Sequence, residues 1–339
     1  PWTHGGAMPE RTYAGDVEFG ESAALPDFRN THLNWFDAAL KGTNGTVHAK
    51  APVRIFVMGG GSGEKDGAGR LTHGGVWRDE QEWPLARTRF TSLFLRGNGM
   101  LDANTPSEVS SSTTYRFDPS NPVPSIGGNV SSLNSFKGLP SGASDPESVP
   151  RSETLDEIMA AGGFDQVERE DIFGSHSPYL PLGSRPDVLV FQTPPLEENM
   201  EVTGPIEVRL WVSSSAVDTD FTAKLIDVYP SSRWYPDGYR LNLTDSIMRL
   251  RYRNGDGVPD FMTPGDVVEI SITLYPTSNL FAQGHRVRLD VSSSNFPRFD
   301  VNPNTGEPIG RERRRTVANN TVYHEAGRGS VLILPVIPK

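Results

Sequence analysis

The sequence predicts a mainly β protein built as a sandwich or jelly roll, and three observations carry that reading. Residues 206–210, 268–274 and 287–291 alternate apolar and polar side chains, so each has one buried and one wet face, as strands of antiparallel sheets do. Residues 188–191, 221–228 and 331–334 add further short strands with turn chemistry between them. Glycine (34) and proline (28) are abundant among the 339 residues, which supplies the many turns such strands need. In the clearest strands Val208, Leu210, Val287, Leu289 and Val291 are expected to face inward, and Glu207, Arg209, Arg288 and Asp290 outward.

Taken in order, residues 1–25 are Gly-rich and lack a clear period. A helix follows, capped by Asn30 or Thr31, with Leu33, Phe36 and Leu40 on one face and Gly42 as its stop. Residues 52–58 read as a strand that ends in Gly59-Gly60-Gly61, and a mobile Gly-rich loop runs on to about Gly75. Residues 90–95 are the next strand, and 104–150, rich in Ser, Asn, Pro and Gly, read mostly as loop. Residues 152–161 place Leu155, Ile158 and Met159 together ahead of Gly162, the pattern of a short helix. There is no internal repeat.

Charge and composition exclude several functions. Lys and Arg number 32 against 42 Asp and Glu, a net charge of −10, which disfavours binding to a phosphate backbone. The short run Arg311-Glu312-Arg313-Arg314-Arg315 reads as a solvated edge, so no nucleic-acid partner is expected. Without cysteine there is no disulfide frame, Cys-based zinc site or thiol nucleophile. No apolar run reaches the ~18 residues of a membrane span. No leader is visible, and the compartment stays open between bacterial cytoplasm and export. The chain opens on Pro1, inside what reads as a motif, so a fragment of a longer protein is expected.

The motifs with chemical potential mostly favour structural roles. The Gly59–Gly69 stretch has neither G-x-G-x-x-G nor P-loop spacing. The run from Asp300 to Gly306 imitates a calcium loop but has Thr305 at its sixth position and Arg311 at its twelfth, and Asn254-Gly255-Asp256-Gly257 is a turn, so no metal or other cofactor is expected. Asp218-Thr219-Asp220 holds two carboxylates that serve local backbone better than acid–base work. Of seven histidines none forms an H-x-x-x-H pair. His4 stands apart, in Pro1-Trp2-Thr3-His4-Gly5-Gly6 just ahead of the amphipathic helix, where the α/β-hydrolase chain order of Ser, Asp, then His would put a catalytic histidine.

Taken together, several segments resemble the C-terminal region of the CocE/NonD hydrolases, the group that holds cocaine esterases, α-amino-acid ester hydrolases and X-Pro dipeptidyl-peptidases. They are Pro1-Trp2-Thr3-His4-Gly5, Leu33-Asn34-Trp35-Phe36-Asp37 with Leu40-Lys41-Gly42, the strand at 53–59 with Trp77-Arg78 and Trp83-Pro84, Arg185-Pro186-Asp187, Asp218-Thr219-Asp220-Phe221, Gly284-His285-Arg286, and Ser293-Ser294-Asn295-Phe296-Pro297. The resemblance runs from end to end. It implies that residues 1–88 are the C-terminal remnant of an α/β-hydrolase domain and that 89–339 form a galactose-binding-like jelly roll. It also implies serine acyl transfer on a small-molecule ester, an amide or a short peptide, with His4 as the general base and the nucleophile and acid not in this chain, since no G-x-S-x-G occurs in it. The expected partner is then the upstream hydrolase domain of the same protein, and a homo-oligomer stays open. The competing reading is a stand-alone β-sandwich binding module, for carbohydrate, with Trp211, Trp234 and Tyr235 as its platform.

Overall fold

The structure, a computed structural model, describes residues 1–3, 10–42, 51–129, 134–136 and 155–339. In chain order the elements are β1 (Tyr13–Ala14), β2 (Val17–Glu18), helix α1 (Phe28–Lys41), β3 (Val53–Gly59), β4 (Leu71–Thr72), β5 (Gly75–Glu80), β6 (Arg89–Leu95), β7 (Leu101–Asp102), β8 (Ser112–Phe117), β9 (Asn134–Phe136) and β10 (Leu155–Glu157). There follow β11 (Leu189–Gln192), β12 (Met200–Ser214), β13 (Asp220–Tyr229), β14 (Tyr239–Arg249), β15 (Val268–Phe281), β16 (Arg286–Ser292), β17 (Ala318–Glu325), β18 (Arg328–Gly329) and β19 (Val331–Ile337).

Two sheets face each other, as the alternation predicts. The larger runs β5-β3-β15-β12-β19-β6-β7, with β17 joining β12 to β8, and the smaller runs β11-β16-β13-β14. The long strand β12 pairs antiparallel with β15 from Met200 opposite Phe281 to Val212 opposite Val268, broken by one irregularity between Gly204 and Ile206. That break sits at the Gly204-Pro205 dipeptide, because proline has no N–H to give the ladder. Between the sheets Val208, Leu210, Val287, Leu289 and Val291 are all buried with Phe221, Leu225, Ile272, Phe281 and Leu332 in one continuous core. Burial of this apolar surface, about 1.5–3 kcal/mol for each full-sized side chain, is what holds the two sheets face to face.

Glu207 and Arg209 lie on the outer face as expected, whereas Arg288 and Asp290 are buried. The outer face of the smaller sheet is covered by a third layer, in which Val123, Ile126, Phe164, Leu182 and Val188 cluster. Polar residues caught beneath it are paired with one another. Arg288 donates to Asp290 at 2.6 and 2.9 Å, and Lys224 reaches the Gln166 side-chain oxygen at 2.7 Å. Burial pushes the Lys224 amine down, and the cross-strand carboxylates of Asp245 and Asp290 pull it partly back.

Other differences have local causes. The helix begins three residues earlier than Asn30 suggests and four earlier than Thr31 suggests, with Asp27 at its N-cap; Asn30 and Thr31, which look like caps, instead turn their side chains back onto Asp27. Its stop is Gly42, in the left-handed conformation (φ 63°) that glycine adopts without steric cost. Leu155–Glu157, expected in a helix, pairs as a strand with Asn134–Phe136, so tertiary pairing outweighs the helical spacing. The Gly-rich stretch after β3 is no free loop. It folds back on itself through Gly61 N to His73 O (2.7 Å), Gly63 N to Thr72 O (3.0 Å) and Thr72 N to Glu64 O (2.8 Å).

The hairpin of β3 and β5 extends the larger sheet. β3 pairs parallel with β15 at Met58–Asn279 and Gly59–Leu280. Gly59 is required there, at φ 97°, because a side chain would run into the backbone of Leu280. By contrast α1 turns an apolar face outward, with Leu33, Trp35 and Phe36 about half exposed and Leu40 at 78%. Among the described residues no helix is long and apolar enough to cross a membrane.

Candidate functional site

His4 lies outside the described residues. The residues leading to it, Pro1–Thr3, rest against the hairpin of β3 and β5. The Trp2 indole N–H donates to Ala23 O at 2.9 Å, and the Trp77 indole N–H donates to the preceding carbonyl, Ser22 O, at 2.7 Å. These two carbonyls end the single 3₁₀ turn Glu21–Ala23, where a helix has oxygens without intrahelical partners. The two indole rings lie 5.6 Å apart, and Trp2 also meets Phe28 of α1 edge-on at 5.8 Å. A cavity of about 390 Å³ opens beside this cluster, lined by Trp2, Thr3, Phe56 and Trp77 on one side and by Asn242 and Thr244 of β14 on the other. It can take a largely apolar group with a few polar contacts.

Behind the cavity a buried polar network ties the hairpin to both sheets. Asn279 on β15 donates its amide to Asp227 Oδ2 at 3.3 Å, which leaves its oxygen to accept from His73 Nε2 at 2.8 Å. That assignment leaves His73 Nδ1 unprotonated, to accept from the Tyr229 hydroxyl. On the other side of Asp227, His285 Nδ1 donates to Oδ1 at 2.8 Å. Burial holds His73 below the usual histidine range, with Asp227 and the Asn279 hydrogen bond pulling it partly back. Both ring nitrogens of His73 are engaged, so the group is a fastener and has no free lone pair for a substrate proton. Sequence reasoning did not find this set. Apart from Asp227 and Tyr229 on β13, these positions share no spacing, and only the packing of the two sheets and the hairpin brings them together.

A second fastener is built on β5 itself. Arg78 makes a two-pronged pair with Glu201 of β12, at 2.7 Å for each contact, and donates to Glu80 at 2.6 Å. Arg87 also pairs with Glu80.

The carboxylates of Asp218 and Asp220 are fully engaged in structure. Asp218 accepts from the Arg251 backbone (2.9 Å) and side chain (2.8 Å), Asp220 pairs with Arg249 at 2.8 Å, and the Asn302 amide bridges the two at 2.7 Å each. Burial raises the Asp220 carboxyl despite Arg249. Asn302 thereby turns its donor, not an oxygen, toward the acids, and Asn304 donates to Thr316 O at 2.7 Å; the stretch from Asp300 to Gly306 closes a loop. Trp211, Trp234 and Tyr235 do not share a surface. Trp211 is opposite Glu269 toward one end of β12, while Trp234 and Tyr235 follow β13, where Tyr235 packs on Tyr239 and the neighbouring Tyr229 meets His73, itself bonded to Asn279 opposite Val202 toward the other end. The intervening residues of β12, at ~3.3 Å each, hold those ends apart.

The profile of the family described as "X-Pro dipeptidyl-peptidase C-terminal non-catalytic domain" matches residues 44–333. The chain belongs to that family. It is 34% identical over 351 residues to the cocaine esterase of Rhodococcus sp. (strain MB1 Bresler), an alignment that covers 100% of this chain and 51% of that protein. Among solved structures, an aminopeptidase from a marine-sediment Thaumarchaeota archaeon matches at 26% identity and a TM-score of 0.71, over 100% of this chain and 49% of that one. An α-amino acid ester hydrolase matches at 26% and 0.69, over 99% and 49%. A CocE/NonD family hydrolase from Staphylococcus aureus shares the fold at 15% identity and a TM-score of 0.56, over 94% and 47%. The chain thus spans about half the length of the relatives it matches, and the resemblance to CocE/NonD hydrolases holds along its whole length.

Proposed function

We propose that this chain is the C-terminal portion of a serine hydrolase that cleaves ester or amide bonds through an acyl-enzyme, with His4 as the general base. The observation that carries the reading is the end-to-end match to an esterase of twice the length, which includes the residues around His4 as well as the sandwich. A nucleophilic serine and the Asp that orients His4 belong, on this reading, to the half of the protein that precedes Pro1. There the serine attacks the carbonyl carbon, His4 takes its proton and returns it to the leaving group, and the Asp holds the imidazole in the correct tautomer. Residues 1–88 close the catalytic domain and 89–339 are the jelly roll. The hairpin of β3 and β5 lies in the first by sequence and is hydrogen-bonded to the second. The outward apolar face of α1 supports the same division, because Leu33, Phe36 and Leu40 then pack on the upstream domain. Substrates are small esters, amides or short peptides.

The chain alone has no oxyanion hole or activated serine on this account, so it should neither label with a fluorophosphonate nor show a burst on an activated acetate ester. The full-length protein should do both. Stoichiometric labelling of a serine within residues 1–339 would overturn the assignment.

A further inference from the structure

We infer that Trp77, in the hairpin that joins the larger sheet, is a positioning residue for the catalytic-histidine loop; this rests on the reading of His4 as general base. Residue 78, next in the strand, is anchored by the two-pronged Arg78–Glu201 pair to β12, and β3 alongside is hydrogen-bonded to β15. The Trp77 ring is fixed on its remaining sides. Phe56, its partner directly across the hairpin, meets it edge-on at 5.2 Å, and the Arg54 guanidinium lies 5.0 Å over it. From that anchored ring two contacts lead to the segment that carries His4. One is the ring contact with Trp2 at 5.6 Å, two residues before His4. The other is the hydrogen bond to Ser22 O, whose neighbour Ala23 O accepts the Trp2 indole.

The two indoles therefore grip adjacent carbonyls of one turn, and the turn and the tilted ring contact locate Trp2 relative to the sheet. Residues 1–3 lie in no strand or helix, so Trp2 is held by these side-chain contacts. A general base must sit within hydrogen-bond reach of the proton it abstracts, and a displacement of about 1 Å far from the chemistry can cost on the order of 10²-fold in rate. Trp77 itself touches no reacting atom in this account. It acts through Trp2.

The test uses the full-length protein and compares Trp77→Leu, Trp77→Phe and His4→Ala on an activated acetate ester. Trp77→Leu removes both the hydrogen bond and most of the ring contact. It should lower kcat by roughly 10- to 100-fold, with KM changed less than about twofold. Trp77→Phe keeps an aromatic contact with Trp2 and should recover most of that loss. Ile272→Val, a core change of modest stability cost, reports what destabilisation alone does and should leave kcat unchanged per folded molecule. A normal kcat in folded Trp77→Leu, or a KM that rises as far as kcat falls, overturns the positioning role. An active His4→Ala enzyme sinks the underlying assignment instead, and the two failures are thereby distinguishable.

Discussion

Acidification should destabilise this protein through His324, and the size of the effect can be worked from its surroundings. The ring is fully buried on β17, edge-on to Phe191 at 5.3 Å, and Nε2 shares its only hydrogen bond with the Thr113 hydroxyl of β8 at 3.0 Å. Nδ1 has no partner, so a second proton would leave an unsatisfied charged N–H in apolar surroundings. Burial accordingly holds the imidazole at about 4, below its ordinary 6.5, against a small opposing pull from Glu108. A group depressed in the folded state takes up its proton more readily when unfolded. The stability it supports is complete above the unfolded value of 6.5 and falls as the pH drops toward 4. The loss is about 2 kcal/mol at pH 5 and about 3 kcal/mol once the pH is below 4. His324→Gln removes the titration and keeps an amide donor for Thr113. Urea melts of both proteins at pH 7.5 and 5.0 should show the stability gap shifting by about 2 kcal/mol in favour of the variant. An unchanged gap between the two pH values would refute the argument.

Other perturbations follow from the fold. Leu289→Ala should cost about 2–5 kcal/mol in a denaturant melt, because Leu289 is wholly buried between the sheets. A cost under ~1 kcal/mol would mean the core is not where the register places it. Asp218→Ala leaves the buried Arg251 guanidinium without its carboxylate and Asn302 with one acceptor fewer, so stability should fall by about 3–5 kcal/mol. The turnover of the folded full-length enzyme should stay the same, whereas a lost kcat at full folding would return the Asp218–Asp220 pair to the chemistry. Calorimetric titration with calcium should show no one-to-one site tighter than ~10⁻⁴ M, since Asn302 turns its donor to Asp218 and Asp220 and its oxygen to Asn304 N, which leaves too few oxygens for a calcium shell; a micromolar site would contradict that loop assignment.

The strands that face the core on one side and water on the other were legible because period-two alternation records just that condition. Residues 206–210, 268–274 and 287–291 all lie within β12, β15 and β16. Legibility failed where a third layer intervened. β14 carries Asn242 and Asp245 toward the covered face and, across a register shift, turns the Thr244 hydroxyl onto Tyr275 O of β15, so its polar residues are buried and the alternation disappears. β17 and β8 were missed as well, since Asn319, Asn320 and Thr321 read as turn chemistry until the ladder with Thr114, Tyr115 and Arg116 is formed. In the candidate site the tryptophans could be picked out as a family resemblance, but their shared grip on Ser22 and Ala23 is a fact of three dimensions. The same holds for the network of His73, Asp227 and Asn279, which come from the residue after β4, from β13 and from β15 and acquire meaning only when the two sheets face each other.

The central claim is that His4 serves as the general base of a hydrolase whose serine lies in the preceding half of the protein. Steady-state kinetics of His4→Ala in the full-length enzyme, on an activated acetate ester at pH 8, tests it most directly. The account predicts a loss of kcat of several orders of magnitude with an unchanged thermal melt, because the members of such a triad act as a unit. Near-normal kcat in that variant would contradict it.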